Sequence, residues 1–203
     1  MSAFLGPIHF WLYNKIQLQE ELIQNILEVS EKNNWDSSLQ EKVDTACGEA
    51  QRRPLAEVID ESNIHGWLQY HITISERRLA YVVANLLKDD ALRLEVLKET
   101  AYSFGTKHLV AEETGADEAF KMLNDSLLDG MPCDRVNEPM EQSKDKAQWR
   151  QTQCIHQEYW DEVDGDISVY YALRSQIIKG MLSNSSLVYE EKEHGIREIK
   201  QEV

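Results

Sequence analysis

The chain is short of basic residues. It has 21 Lys and Arg against 36 Asp and Glu, which leaves a formal charge of −15 at pH 7. Binding to a phosphate backbone or an anionic lipid surface depends on clustered cations that release counterions. Nucleic acid and membrane are therefore excluded as first partners. Cysteine is scarce as well: Cys47, Cys133 and Cys154 are the only three, and none stands in a CxxC spacing. That excludes a disulfide framework and a cysteine-based zinc knuckle. Long apolar runs are missing; "AYVVANLL" (80–87) falls far short of the roughly 20 residues a membrane-spanning helix requires. The start, "MSAFLGPIHFWLYNK", has no basic segment ahead of its amphipathic sequence, so it does not read as a signal peptide. A cytoplasmic protein is the resulting expectation. A Gly-rich phosphate loop, a GxSxG elbow and a dinucleotide fingerprint are also missing. "DEVDGD" (161–166) lacks the register of a calcium loop and reads as a solvated loop capping the next helix.

What is present is helical periodicity. Gly6-Pro7 leads into a stripe of Ile8, Trp11, Leu12, Ile16, Ile23 and Ile26, which predicts a helix ending near "KNNWDSS". A weaker pattern follows over 39–51. From Pro54 a long helix is predicted to about Leu87, with Ile64, Trp67, Leu68, His71, Ile74, Leu79, Val82, Val83 and Leu86 on one face. Another begins at Asp89-Asp90 and carries Leu94, Leu97, Ala101, Phe104, His108 and Leu109; a short one ends at "DGMP" (129–132). Beyond Pro132 the texture becomes polar, with "SKDK" (143–146) as a turn between two extended segments, then a helix through Tyr171, Ile177, Ile178 and Met181, then two strands around Gly195. The fold class expected is α+β: a helical bundle over 1–130, followed by a ββαββ antiparallel-sheet region over 131–203 that packs on it or continues it as one domain.

Two stretches, "IHFWL" (8–12) and "IHGWL" (64–68), repeat at a spacing of 56. The same shift aligns Ile8, His9, Trp11, Leu12, Ile16 and Glu20 with Ile64, His65, Trp67, Leu68, Ile72 and Glu76. In an up-down-up-down bundle the first and third helices are parallel, which puts His9 and His65 at one level. With His108 and Glu112 they could ligate a transition metal such as zinc or iron, since a usable site wants at least three protein ligands. The competing reading is an aromatic packing motif in which each His bonds a backbone group near a helix start. Trp11 and Trp67 are then candidates for ligand contact beside the histidines.

In "QCIHQEYW" (153–160), Cys154 and His156 stand two apart, which on a strand places both on one side. A thiolate with an adjacent imidazole base is a nucleophilic pair. Cys133, at the entry to the first strand, becomes a neighbour of Cys154 if the two strands pair, which makes it a candidate ligand-binding residue and suggests redox or metal chemistry. A buried structural cysteine beside an unrelated histidine is the plain alternative.

The order of "SFGTKHLVAEETG", "LLDGMPCDRVNE", "CIHQEYWDEVDGD" and "IIKGMLSNSSLVYEEKEHGIREI" resembles the C-terminal region of the L-2-amino-thiazoline-4-carboxylic acid hydrolase-like and 4-vinyl reductase-type small-molecule-binding proteins. The resemblance covers about 100 residues from Phe104 onward and is mainly one of topology. The hairpin lacks the cysteines usual around the final Gly in the reductase type, and Cys154 precedes Ile155 where the hydrolase-like proteins often have Pro. The resemblance implies a pocket for a small molecule between the helices and the sheet, a homodimer, and a hydrolase of a small amide or heterocycle with Cys154 as nucleophile and His156 as its base. A non-enzymatic metal-binding or sensor bundle centred on His9, His65 and His108 is the rival expectation.

Overall fold

The computed structural model describes residues 4–202. The chain is an α+β protein: among the described residues six α-helices run first, and a four-stranded antiparallel sheet with two more α-helices follows. Helix α1 (Pro7–Lys32) starts with Pro7 in its first turn, and the His9 ring closes the start by accepting from the Gly6 N–H at 2.8 Å. After α2 (Leu39–Cys47), Pro54 opens only a single turn, α3 (Leu55–Val58). The long helix predicted from Pro54 therefore begins ten residues later, as α4 (Ile64–Asp89). The reason is local: the Asp60 carboxylate accepts from the Ser62 N–H at 2.9 Å and from its hydroxyl at 2.6 Å, and Asn63 caps α4 by accepting from the Gly66 N–H. Such side-chain-to-backbone bonds compete with helix propagation.

Helices α1 and α4 lie side by side and parallel. Tyr13 packs on Trp67 with ring centroids 5.8 Å apart, and further along Gln19 reaches Glu76 and Glu20 reaches Arg78. The 56-residue repeat thus describes a real register. Its paired apolar members, Leu12 with Leu68 and Ile16 with Ile72, are all buried in one cluster, and both terminal carboxylates, Glu20 and Glu76, are buried too.

Helix α5 (Arg93–Thr106) packs on α8 (Ile167–Leu182) at very short range. The contact requires glycine on both sides. A Cβ on Gly105 would stand 2.2 Å from the Ile177 carbonyl oxygen, and one on Gly180 would stand 2.2 Å from that of Tyr102. Helix α6 (Ala116–Ser126) and α8 cover the inner face of the sheet, where Ala147, Trp149, Leu187 and Ile199 are buried.

The sheet is two hairpins joined edge to edge in the order β1-β2-β4-β3, with β1 (Asn137–Gln142), β2 (Lys146–Gln151), β3 (Leu187–Glu191) and β4 (Ile196–Gln201). The register pairs Ala147 with Ile199 and Trp149 with Arg197, so alternate residues of β2 and β4 enter the core. Strand β1 is an edge; its pairing with β2 slips between Pro139 and Glu141. A five-residue helix, α7 (Gln157–Asp161), precedes α8, and the Asp166 side chain caps α8 by accepting from the Ser168 N–H at 2.8 Å. One hydrophobic cluster takes residues from α1, α4, α5, α6, α8 and the sheet alike.

Candidate functional site

Charge is concentrated where the apolar pattern of α1 and α4 breaks. Glu76 projects from α4 into the interior, and its Oε2 accepts from Nδ1 of His156 at 2.9 Å. His156 is the residue just before α7, with only 1% of its surface exposed. Its Nε2 lies 2.9 Å from the Tyr170 hydroxyl and 3.7 Å from Oδ1 of Asp129. Asp129 comes from the "DG" turn after α6; its Oδ2 accepts from Arg174 Nη2 at 2.7 Å and from Asn137 Nδ2 at 2.8 Å. Arg174 also donates to the Tyr170 hydroxyl at 3.2 Å. Five elements of the chain therefore meet in one polar chain running Glu76, His156, Asp129, Arg174.

Electrostatics fixes the protonation states. Burial pulls the His156 imidazole towards neutrality, but Glu76 and Asp129 outweigh it and raise its pKa to about 9. At neutral pH both ring nitrogens are therefore donors. Burial alone would raise the Asp129 carboxyl; Arg174, His156 and Lys15 overcome it and hold the group well below the usual carboxylate range. The Tyr170 phenol is pushed far up by burial and stays protonated. Two carboxylates and two cations thus balance each other.

Lys15 acts on that group from a distance and bonds to none of it. It sits on the core side of α1 between Leu12 and Ile16, is 4% exposed, and among the described residues has no hydrogen bond or ion pair. Its Nζ stands 4.2 Å from the centroid of the Trp11 ring. Burial lowers its pKa to about 8, with Arg174 adding to the effect and Asp129 and Asp125 opposing it. Lys15 lines a cavity of about 240 Å³ whose walls include Trp11, Phe120, Asp129, Met131, Arg135 and Asn137. Pro132, Arg135, Asn137 and Pro139 are shared with a wider depression of about 690 Å³ that forms the mouth. Arg135 is exposed there, has no ion pair among the described residues, and holds a left-handed backbone at φ +48°. A larger groove, about 660 Å³ between α8 and the β3–β4 hairpin, is lined mostly by partly exposed polar side chains such as Ser175, Gln176, Lys179 and Glu191. It presents no buried amine of this kind.

The residues expected from the sequence fall in different places. Cys154 and His156 do not form a pair. Strand β2 stops at Gln151, so the two residues lie in a loop rather than on one strand face; Cys154 is exposed beside Tyr171, and His156 is turned inward with both nitrogens occupied. Cys133 is exposed in a 3-10 turn ahead of β1, and all three thiols are free. His9 is spent on capping α1 and His65 is exposed in the first turn of α4. His108 packs on Phe104 and faces Glu21 at 3.7 Å, about 18 Å along α1 from His9 at 1.5 Å rise per residue. Glu112 is exposed in the loop beyond α5. Among the described residues, no group of three or more His, Cys, Asp or Glu could hold a metal ion. Trp67 packs between Tyr13 and His71, whereas Trp11 lines the cavity and donates from Nε1 to Asp125 at 2.8 Å.

Sequence reasoning missed Lys15, Asp129, Tyr170 and Arg174. The signal for Lys15 was available: a basic residue stands where the stripe Leu12, Ile16, Ile23 faces inward. The same holds for Glu20 and Glu76, which end the repeat. Glu20 is answered by Arg78, 1% exposed, which also bonds Asp44 and the Gly48 carbonyl. Nothing local marks Asp129, which reads as punctuation in "DGMP".

Compared with protein-family models, with curated proteins and with solved structures, the chain matches none. Among the described residues, no helix is long and apolar enough to cross a membrane.

Proposed function

We propose that this is a small-molecule-binding protein whose ligand is a small organic acid held in the cavity at Lys15. The observation that carries this reading is the buried amine itself. A lysine taken out of water without a carboxylate at ion-pair distance loses solvation worth several kcal/mol, by the order of magnitude known for buried ions, and the more distant Asp129 and Asp125 offset only part of it. Proteins retain such groups chiefly where a ligand or a reaction uses them. Arg135 supplies a second unpaired cation at the mouth, in a chain whose net charge is −15. Trp11, Phe120, Met131 and Pro132 give the walls an apolar face, so the ligand carries one anionic end on a compact carbon frame.

Hydrolysis by Cys154 with His156 as base finds no support, because the imidazole is committed to Glu76 and Tyr170. A cytoplasmic setting fits the same reading, since three free thiols without a disulfide suit a reducing compartment.

Calorimetric titration with small monocarboxylates such as lactate and benzoate tests the proposal. Saturable binding that is lost in Lys15→Met and weakened in Arg135→Ala is expected. Indifference of binding to both substitutions would remove the cavity from consideration.

A further inference from the structure

We infer that Lys15 is a covalent binding residue, whose amine condenses with the carbonyl carbon of a 2-oxo acid while the carboxylate of that acid is met by Arg135. This deepens the carboxylate reading above and rests on it. The geometry supplies each requirement of imine formation. Lys15 lines a cavity that opens to solvent and its amine is not tied up in a hydrogen bond, so its lone pair is available once the proton is lost. The lowering of its pKa to about 8 leaves about a tenth of the amine neutral at pH 7 and about half at pH 8, where surface lysines remain almost wholly protonated. Asp129 is held ionised on the same cavity wall, and its negative charge favours the iminium product. The indole face of Trp11, 4.2 Å from Nζ, favours a cation at that position as well. Arg135 lines both the cavity and its mouth, so the carboxylate of a 2-oxo acid condensed at Lys15 has a cation on the same lining.

The step balances without an oxidant or reductant. The neutral amine adds to the carbonyl carbon, forming a C–N bond, and the proton left on nitrogen moves to the oxygen to give a carbinolamine. Uptake of one proton from water then releases the hydroxyl as water and leaves a protonated C=N bond on Lys15. His156 and Tyr170 do not take part in the transfer; they hold Asp129 and Arg174 in place behind the amine.

The test treats the full chain with pyruvate and cyanoborohydride at pH 8 and maps the modified lysines by peptide mass spectrometry, alongside calorimetric titration with lactate. Lactate carries the carboxylate but cannot form an imine. The expected result is labelling of Lys15 at least about tenfold faster than any other lysine, as an amine with a lowered pKa requires. Lys15→Arg should keep lactate binding and lose that adduct, which also shows the variant is folded. Lactate binding without preferential labelling of Lys15 would overturn the covalent step and leave the carboxylate site standing. Absence of both would overturn the two together.

Discussion

Glu76 and His156, 80 positions apart in sequence, form a buried ion pair 2.9 Å long that ties α4 to the segment leading into α7. The sign of its contribution follows from the raised pKa. The folded imidazole holds its proton up to about pH 9, whereas the unfolded one loses it near 6.5. Stability from this pair is therefore fully present below about 6.5 and is lost as pH rises towards 9. At roughly 1.4 kcal/mol per unit the total is on the order of 3 kcal/mol. Lys15 has the opposite sign, because its folded pKa is lowered and its penalty is relieved above about 8. Urea unfolding of wild type and His156→Gln at pH 6, 7 and 8 isolates the first effect. Wild type should weaken over that interval relative to the variant; parallel curves would show that folding does not raise the His156 pKa, and a wild type that strengthens would show that His156 is neutral in the folded state.

Removing the Glu76 charge while keeping its shape should be worse than removing that of Glu20. Glu76→Gln leaves the buried imidazolium with Asp129 as its remaining carboxylate, at 3.7 Å and already shared with Arg174. Breaking one member of such a buried pair costs about 3–5 kcal/mol. Glu20→Gln leaves Arg78 with Asp44 and the Gly48 carbonyl, and should cost less. Chemical denaturation of the two variants at pH 7 decides the order, and equal losses would contradict it.

Lys15→Met should raise stability while abolishing ligand binding. The substitution replaces a desolvated amine with an apolar chain of similar length against Trp11, and a gain of about 1–2 kcal/mol is in keeping with exchanges of buried charge for hydrophobic volume. Thermal unfolding at pH 7 reads it. A lower midpoint in Lys15→Met would mean that the lysine is held by interactions worth more than its desolvation.

The α5–α8 contact should tolerate no side chain. Gly105→Ala and Gly180→Ala each place a methyl group 2.2 Å from a backbone oxygen of the facing helix, and neither backbone can yield without separating the two. A loss of about 3 kcal/mol or more is expected for each, at the upper end of overpacking effects. The helix propensity of alanine works in the other direction, by about 1 kcal/mol. Unchanged stability in either variant would require the helices to sit farther apart than described.

Cys154 should alkylate with iodoacetamide at the same rate in wild type and in His156→Gln. The thiol is exposed beside Tyr171, while the imidazole is enclosed by Glu76, Asp129 and Tyr170. A rate that falls sharply in the variant would restore the nucleophile-and-base pair.

Much of the scaffold was legible in the sequence because it follows periodicity. The helices of the first half, the two hairpins with a helix between them, and the parallel register of α1 and α4 all express apolar spacing that tertiary packing leaves intact. The error at Pro54 came from polar residues, Asp60, Ser62 and Asn63, whose turn-forming bonds an apolar stripe does not register. The site was less legible. Its members stand at positions 15, 76, 129, 156 and 174, and only the fold makes them neighbours. The repeat directed attention to its histidines, which lie at the open ends of the helices, while its carboxylates three turns deeper carry the buried charge. Cys154 and His156 misled because a spacing of two implies a shared face only while the strand lasts, and β2 ends before either.

The slip in pairing at the outer edge of the sheet bears on access. Strand β1 meets solvent along one side, and an unprotected edge of this kind invites another strand to add to it. Pro139 has no N–H to offer a newcomer, the bulge beside it turns the strand out of register, and Glu138 and Glu141 add like charges. Asn137 and Pro139 also frame the way in to Lys15. The features that keep a neighbouring chain from docking there keep the doorway clear, so protection against aggregation and admission of the ligand rest on the same few residues.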